Sequence, residues 1–284
     1  MFNKKFKSSA EIKYRCIFSV LNVQKGVFYL KIIIFDKIED LQEYCAQLFI
    51  DQVKQNPFAK IGFATGVSPV DCYKLIIKHS KQNNISWKNI TTFNLDEFVN
   101  ISKDHKQAFI KQMKDNLFDH LDIDPKNINF LDCQTSDPKK ECQRYENLIR
   151  SVDGIDFQYI SLGINGHMAY NEPNTSLNTD THVVKLTKET ILDMVNKKKF
   201  NSLDDCPTHA MTMGIQTLLN WTKKAIMVSY GIHKALVTKQ MIEDKPNEQI
   251  TASFLQLHKD CTYILDKDAA SLLDKKYLEI AERR

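Results

Sequence analysis

Lys60-Ile-Gly-Phe-Ala-Thr-Gly-Val-Ser-Pro69 is the stretch on which the reading of this chain turns. Its first five residues are a short apolar run that predicts a strand. Residues 65–69 are small and turn-forming and cannot continue it, and residues 70–79 resume at helical spacing. The unit is strand, loop, helix. Parallel strands need a crossover, usually a helix, so repetition of this unit is the signature of a parallel sheet.

The unit recurs on both sides. Upstream, Lys31–Phe35 predicts a strand. Asp36 and its successors can open a helix over Ile38–Gln55, where Leu41, Cys45, Leu48, Phe49 and Val53 repeat at helical spacing, and Pro57 marks its end. Downstream, strands are predicted over residues 90–95, 157–163, 225–229 and 262–265. Helices are predicted over 108–120, from about 233, and over 269–284. The expected fold class is α/β, with a mainly parallel sheet and helices on both faces. No linker-like tract and no internal repeat divides the body, so residues 31–284 are expected to form one domain.

The chain has 284 residues, enough for a large core without disulfides or metal. Its formal charge of +4 is concentrated in residues 1–30, where Lys4, Lys5, Lys7, Lys13, Arg15 and Lys25 face only Glu11. The remainder is close to neutral and shows no basic stripe interleaved with aromatics, so no nucleic-acid partner is expected. Residues 16–23 are too short and too interrupted by polar residues to be a membrane anchor, so no membrane partner is expected either. Residues 1–30 are read as an N-terminal extension of unknown role rather than a targeting segment. The seven cysteines are scattered without a Cys-x-x-Cys pair, which fits a reducing, cytoplasmic setting. No Cys/His spacing suits zinc, so no metal is expected.

In open parallel sheets ligands bind beyond the carboxyl ends of strands, and each polar signature falls at such an end. Thr65, Gly66, Val67 and Ser68 can present backbone N–H groups and hydroxyls to a phosphate beside a helix N-terminus. The same loop also reads as an ordinary turn with Ser68 as N-cap and Pro69 at the first helical position. Asp96, where the strand of Asn94-Leu-Asp-Glu-Phe98 stops, can act as a general base or simply cap a turn. Gly163-Ile-Asn-Gly-His-Met-Ala-Tyr-Asn-Glu-Pro173 is the richest stretch. His167 can exchange protons near neutral pH. Asn165 lies beside it, and a bend before Pro173 can return Glu172 to the imidazole. The alternative is a surface turn with an incidental histidine. Lys234, after Gly231, can be a second phosphate contact or a solvated lysine. His120, His209 and His258 read as packing or surface residues, and Lys197-Lys-Lys199 as a solvated face.

Four motifs, in order and spacing, resemble the glucosamine-6-phosphate deaminase (isomerase) family. They are Ala64-Thr-Gly-Val-Ser-Pro69, Thr92-Phe-Asn-Leu-Asp-Glu97, the 163–173 stretch and Thr212-Met-Gly-Ile-Gln-Thr217. Connecting text such as Asn116-Leu-Phe-Asp-His120 agrees, and the resemblance spans about residues 31–266. It implies a single Rossmann-like domain that converts D-glucosamine 6-phosphate and water to D-fructose 6-phosphate and ammonium, in amino-sugar catabolism. Asp96 matches the enolisation base, and His167, with Asn165 and Glu172, matches the ring-opening unit. Thr65, Gly66, Val67, Ser68 and Lys234 match the substrate phosphate site. The implied partner is a small-molecule sugar phosphate, bound by a monomer or homo-oligomer. Val67 stands where many members carry a second glycine. A phosphate-contacting arginine of the family has no clear counterpart, the nearest cations being Lys197, Lys198 and Lys199. A related sugar-phosphate enzyme, such as a 6-phosphogluconolactonase or another aldose–ketose isomerase, and a catalytically silent sugar-phosphate sensor are the competing functions.

The family's allosteric branch places basic residues after its Glu-Pro motif, where this chain has Asp180, His182 and Val184. The resemblance is therefore to the short, non-allosteric branch. The rate plotted against glucosamine 6-phosphate is expected to be hyperbolic and unmoved by N-acetylglucosamine 6-phosphate. A sigmoidal curve that this compound makes hyperbolic would contradict the reading.

Overall fold

Apolar runs that can be buried on both faces become the strands of one large sheet, and the helices with a single apolar stripe cover it. The computed structural model describes residues 20–23, 26–196 and 198–284. In chain order the elements are β1 Val20–Val23, β2 Gly26–Tyr29, β3 Lys31–Phe35, α1 Ile38–Gln55, β4 Lys60–Phe63, α2 Val70–Gln82, β5 Thr91–Asn94, β6 Asp96–Phe98 and α3 Phe109–Asn116. Then come β7 Ile128–Asn129, α4 Pro138–Ser151, β8 Phe157–Ser161, β9 His182–Lys185, α5 Lys188–Asn196, β10 His209–Thr212 and α6 Ile215–Trp221. The chain closes with β11 Ala225–Ser229, α7 Ala235–Glu243, β12 Cys261–Asp266, α8 Lys275–Ile280 and β13 Glu282–Arg283. The extension expected over residues 1–30 lies largely outside the described residues; its described part is the β1–β2 hairpin.

The main sheet has eight strands in the order β13-β3-β12-β11-β8-β4-β5-β7, and its pairings are all parallel. From β4 the chain moves outward to β5 and β7. From β8 it moves the other way, to β11 and β12. Neighbouring β4 and β8 are thus a topological switch point, the place where loops leave in opposite directions and open a crevice. Right-handed crossovers put the helices of the two halves on opposite faces. Accordingly α1 packs on α2 and α2 on α3, while α4 packs on α6.

The core is aromatic at the switch. Phe49 of α1 lies parallel to Phe63 of β4 at 5.2 Å and edge-on to Phe157 of β8 at 4.9 Å. Burial of each such ring contributes roughly 1.5–3 kcal/mol, which locks α1 across the two strands.

Two features differ from the sequence reading. Residues 269–284 were expected to be one helix. Only Lys275–Ile280 is helical, and Glu282–Arg283 adds in parallel to β3, with Arg284 N donating to Ile34 O at 2.9 Å. The pairing covers what would otherwise be an open edge at β3, and the Arg284 guanidinium lies 4.4 Å from the Tyr44 ring centre. A second, antiparallel sheet, β6-β10-β9, was also not foreseen. It carries its own small core, in which Phe98, Phe109, Met194 and Phe200 meet.

Gly214 ties this second sheet to the body. It follows β10, and a β-carbon there would lie 2.0 Å from the carbonyl oxygen of Thr179 and 2.2 Å from that of Asp180. Those atoms are backbone and cannot swing aside. Gly214→Ala is expected to destabilise the protein by about 1–3 kcal/mol in urea unfolding, the usual cost of overpacking. A change under about 0.5 kcal/mol, within the range of ordinary surface substitutions, would contradict the packing described.

Candidate active site

The site is built from the carboxyl ends of four adjacent strands, β11, β8, β4 and β5. After β4 the chain enters the 65–69 loop, where Gly66 takes a left-handed φ of +96°. The Val67 side chain points to solvent, and a β-carbon at Gly66 would meet nothing within 4 Å, so the valine does not crowd the loop. Helix α2 begins at Val70 after Pro69, and no Ser68 side-chain bond caps it. Ser68 therefore is not spent as an N-cap. Its carbonyl accepts from Gln42 Nε2 at 3.3 Å and from the Tyr230 hydroxyl at 3.2 Å, which fixes the loop from two sides.

After β5, Leu95 is clamped by its N–H to Phe63 O at 3.2 Å and by its carbonyl to Met213 N at 2.7 Å. The next residue, Asp96, opens β6 opposite Thr212 and is nearly buried. Burial, with the adjacent Glu97 adding to it, pushes its carboxyl up to about 8, against a weak downward pull from the Thr65 hydroxyl at 3.5 Å. Glu97 is fully buried and faces the other way. It accepts the backbone N–H groups of Phe98, Phe109 and Ile110 at 2.8, 3.0 and 2.9 Å, binding the start of α3 to β6. Burial pushes Glu97 up to about 7, and these donors oppose the rise.

After β8 the chain makes a tight loop in which Gly163 N donates to His167 O at 2.8 Å. The imidazole folds back over Gly163, where a β-carbon would stand 2.2 Å from the ring, so glycine is required for the close approach. Asn165 Oδ1 accepts from His167 N at 3.2 Å, and Asn165 Nδ2 donates to Glu172 Oε2 at 2.9 Å. The same Glu172 oxygen lies 3.4 Å from His167 Nδ1. Burial works against the Glu172 charge, but His167, Thr190 and Asn165 outweigh it and hold the carboxyl down at about 2. Glu172 is thus a fixed anion behind the imidazole.

After β11, Gly231 takes a φ of +85°, and its N–H is held 3.0 Å from both carboxylate oxygens of Asp266. This turn delivers Lys234, whose Nζ donates to Leu162 O.

These elements enclose a cleft of about 340 Å³. Thr65, Gly66, Val67, Ser68, Asp96, Asn165, His167 and Lys234 all line it, and Glu172 stands immediately behind His167. The sequence reading did not single out Tyr170, Thr190 and Met194, which also line the cleft. The last two belong to α5, whose place the local sequence does not disclose. Lys199, read as a solvated residue, lines the cleft as well, while Lys197 lies outside the described residues. His105 stacks on Phe200 at 5.5 Å rather than entering the cleft.

Among the described residues no group of three or more His, Cys, Asp or Glu is placed to hold a metal ion. The six described cysteines are buried, and burial pushes their thiols up, so none is an activated nucleophile. No described helix is long and apolar enough to cross a membrane. What remains is a buried carboxyl, a histidine backed by a carboxylate, and the 65–68 loop with Lys234, all on one cleft.

A family model described as glucosamine-6-phosphate isomerases/6-phosphogluconolactonase matches residues 36–264. The chain is 54% identical over 252 residues to a glucosamine-6-phosphate deaminase of Mycoplasmopsis pulmonis, covering 89% of this chain and 98% of that one. It is 41% identical over 244 residues to that of Clostridium novyi, covering 86% and 100%. Among solved structures, a monomeric glucosamine-6-phosphate deaminase superposes with a TM-score of 0.82 at 37% identity, over 86% of this chain and all of that one. A 6-phosphogluconolactonase from Trypanosoma cruzi superposes with a TM-score of 0.71 at 19% identity, over 87% and 97%, and so shares the fold.

The unusual environment of Asp96 can be measured directly. Carboxyl carbon NMR of the free protein is expected to find an Asp96 midpoint near 8, far above an ordinary aspartate. Because Glu97 is one of the raising causes, Glu97→Gln is expected to lower that midpoint. An Asp96 midpoint near 4, the ordinary aspartate value, would contradict the burial described.

Proposed function

The chain belongs to the family of glucosamine-6-phosphate isomerases and 6-phosphogluconolactonases, and within it we propose that this protein converts D-glucosamine 6-phosphate and water to D-fructose 6-phosphate and ammonium. It is an enzyme acting on a phosphorylated amino sugar. The relatives at 54% and 41% identity are glucosamine-6-phosphate deaminases, whereas the lactonase of Trypanosoma cruzi is a more distant relative at 19%. The observation that carries the reading is one cleft shared by a buried carboxyl and a carboxylate-backed histidine, lined also by the 65–68 loop and Lys234.

The roles follow from placement. The substrate phosphate sits on the N–H groups and hydroxyls of residues 65–68 with Lys234. His167 exchanges the proton that opens the sugar ring. Glu172 and Asn165 hold the imidazole, and the carboxylate stabilises it when charged. In the open sugar the C1 carbonyl acidifies the C2 hydrogen, which Asp96 removes. A base whose pKa lies near neutrality is well matched to that transfer. Return of a proton to C1 leaves an imine at C2, and water cleaves it to the ketone and ammonia. The substrate's own carbonyl supplies the electron sink, so no cofactor enters the reading.

We place the reaction in the cytoplasm, in the breakdown direction of amino-sugar metabolism including N-acetylglucosamine. We take residues 31–284 as the catalytic domain and residues 1–30 as an N-terminal extension of unknown role. The assembly is a monomer or a homo-oligomer.

The test is ammonium release from glucosamine 6-phosphate. Asp96→Asn is expected to retain binding of the sugar phosphate and to lose at least about a hundredfold in kcat, the usual scale for a general base. Unchanged turnover would remove Asp96 from the mechanism.

A further inference from the structure

Glu172 is held from two directions. One oxygen takes the donors that define the ring-opening unit, Asn165 and His167. The other, Oε1, accepts the hydroxyl of Thr190 at 2.8 Å. Thr190 in turn accepts from the Thr187 hydroxyl at 3.0 Å, and Thr187 Oγ1 accepts the Thr190 N–H at 3.2 Å, so that Thr187 caps the start of α5. A chain of hydroxyls therefore runs from the first turn of α5, through Thr190 and Glu172, to His167.

The two ends of this chain belong to different parts of the molecule. Glu172 is anchored to the body. Its neighbour Asn171 donates to Met168 O and Met213 O at 3.0 and 2.8 Å, and accepts from the Thr251 hydroxyl at 2.6 Å. Helix α5 instead rests on the second, smaller core through Met194, with Ile191 and Val195 packed beside it. Met194 and Thr190 line the cleft from that side. The Thr190–Glu172 bond thus joins two separately packed units at the point where they flank the substrate.

We propose that Thr190 is a positioning residue: its hydroxyl sets the Glu172 carboxylate, and through it the His167 ring, only when α5 is seated against the cleft. Seating of the helix and readiness of the ring-opening histidine are then one event. The role assigned to His167 rests on the reading above. The hydroxyl link does not, because it is a property of the ligand-free protein.

Two variants separate the hydroxyl from the packing. Thr190→Val keeps the shape and removes the donor, and Thr190→Ser keeps the donor. In ammonium release, Thr190→Val is expected to lower kcat about tenfold, the scale of one hydrogen bond to a charged group, with KM within about twofold. Thr190→Ser is expected to restore kcat to within about threefold of wild type. In parallel, nitrogen NMR of histidine-labelled protein without substrate reads the tautomer and hydrogen bonding of the His167 ring. Those signals are expected to move in Thr190→Val and to stay in place in Thr190→Ser. Unmoved His167 signals in Thr190→Val, or equal loss in both variants, would overturn the proposal. A wild-type protein that releases no ammonium would overturn the functional reading instead, while the histidine spectra would still decide the role of Thr190.

Discussion

β4 and β8 lie side by side in parallel, and the chain leaves them in opposite directions. This single constraint sets the rest. Loops diverging from neighbouring strand ends cannot pack on each other, so a crevice opens between them. The strand beyond β4 contributes Asp96 to it, and the strand beyond β8 contributes Lys234. The 65–68 loop, Asp96, His167 and Lys234, far apart in sequence, reach one space because β11, β8, β4 and β5 are consecutive in the sheet. The Phe49–Phe63–Phe157 cluster beneath them keeps the two central strands in register.

In and around the cleft the protein separates three carboxylates by environment. Asp96 is held toward its neutral form mainly by burial, with the adjacent Glu97 adding to it. Glu97, one residue on, points into backbone N–H groups and serves α3. Glu172 is surrounded by donors and stays ionised. Groups of the same chemistry thus become a carboxyl held toward its neutral form, a structural clamp and a fixed anion. Asp96 and Glu97 part because successive residues of the β6 strand point to opposite faces.

The strand–loop–helix units and the residues at their carboxyl ends were legible in the sequence, because apolar runs and turn residues act locally. The return of Glu172 to His167 was legible for the same reason, since both sit in one short loop. What escaped depended on distant partners. In the antiparallel β6-β10-β9 sheet, β10 pairs with β6 more than a hundred positions away, with no local signature. β13 is a strand only because β3 would otherwise present an open edge. Thr190 and Lys199 reach the cleft through the packing of the second core, which their own neighbours in sequence do not reveal.

The central claim is that the separate strand ends serve a single substrate at once. An open-chain amino-alditol 6-phosphate, which has no carbonyl and cannot enolise, tests it most directly in a crystal structure of the complex. The account predicts the phosphate on residues 65–68 and Lys234, the second carbon within reach of the Asp96 carboxylate, and the chain end beside His167. A ligand bound elsewhere, or one whose phosphate occupies the Asp96 side of the cleft, would contradict it.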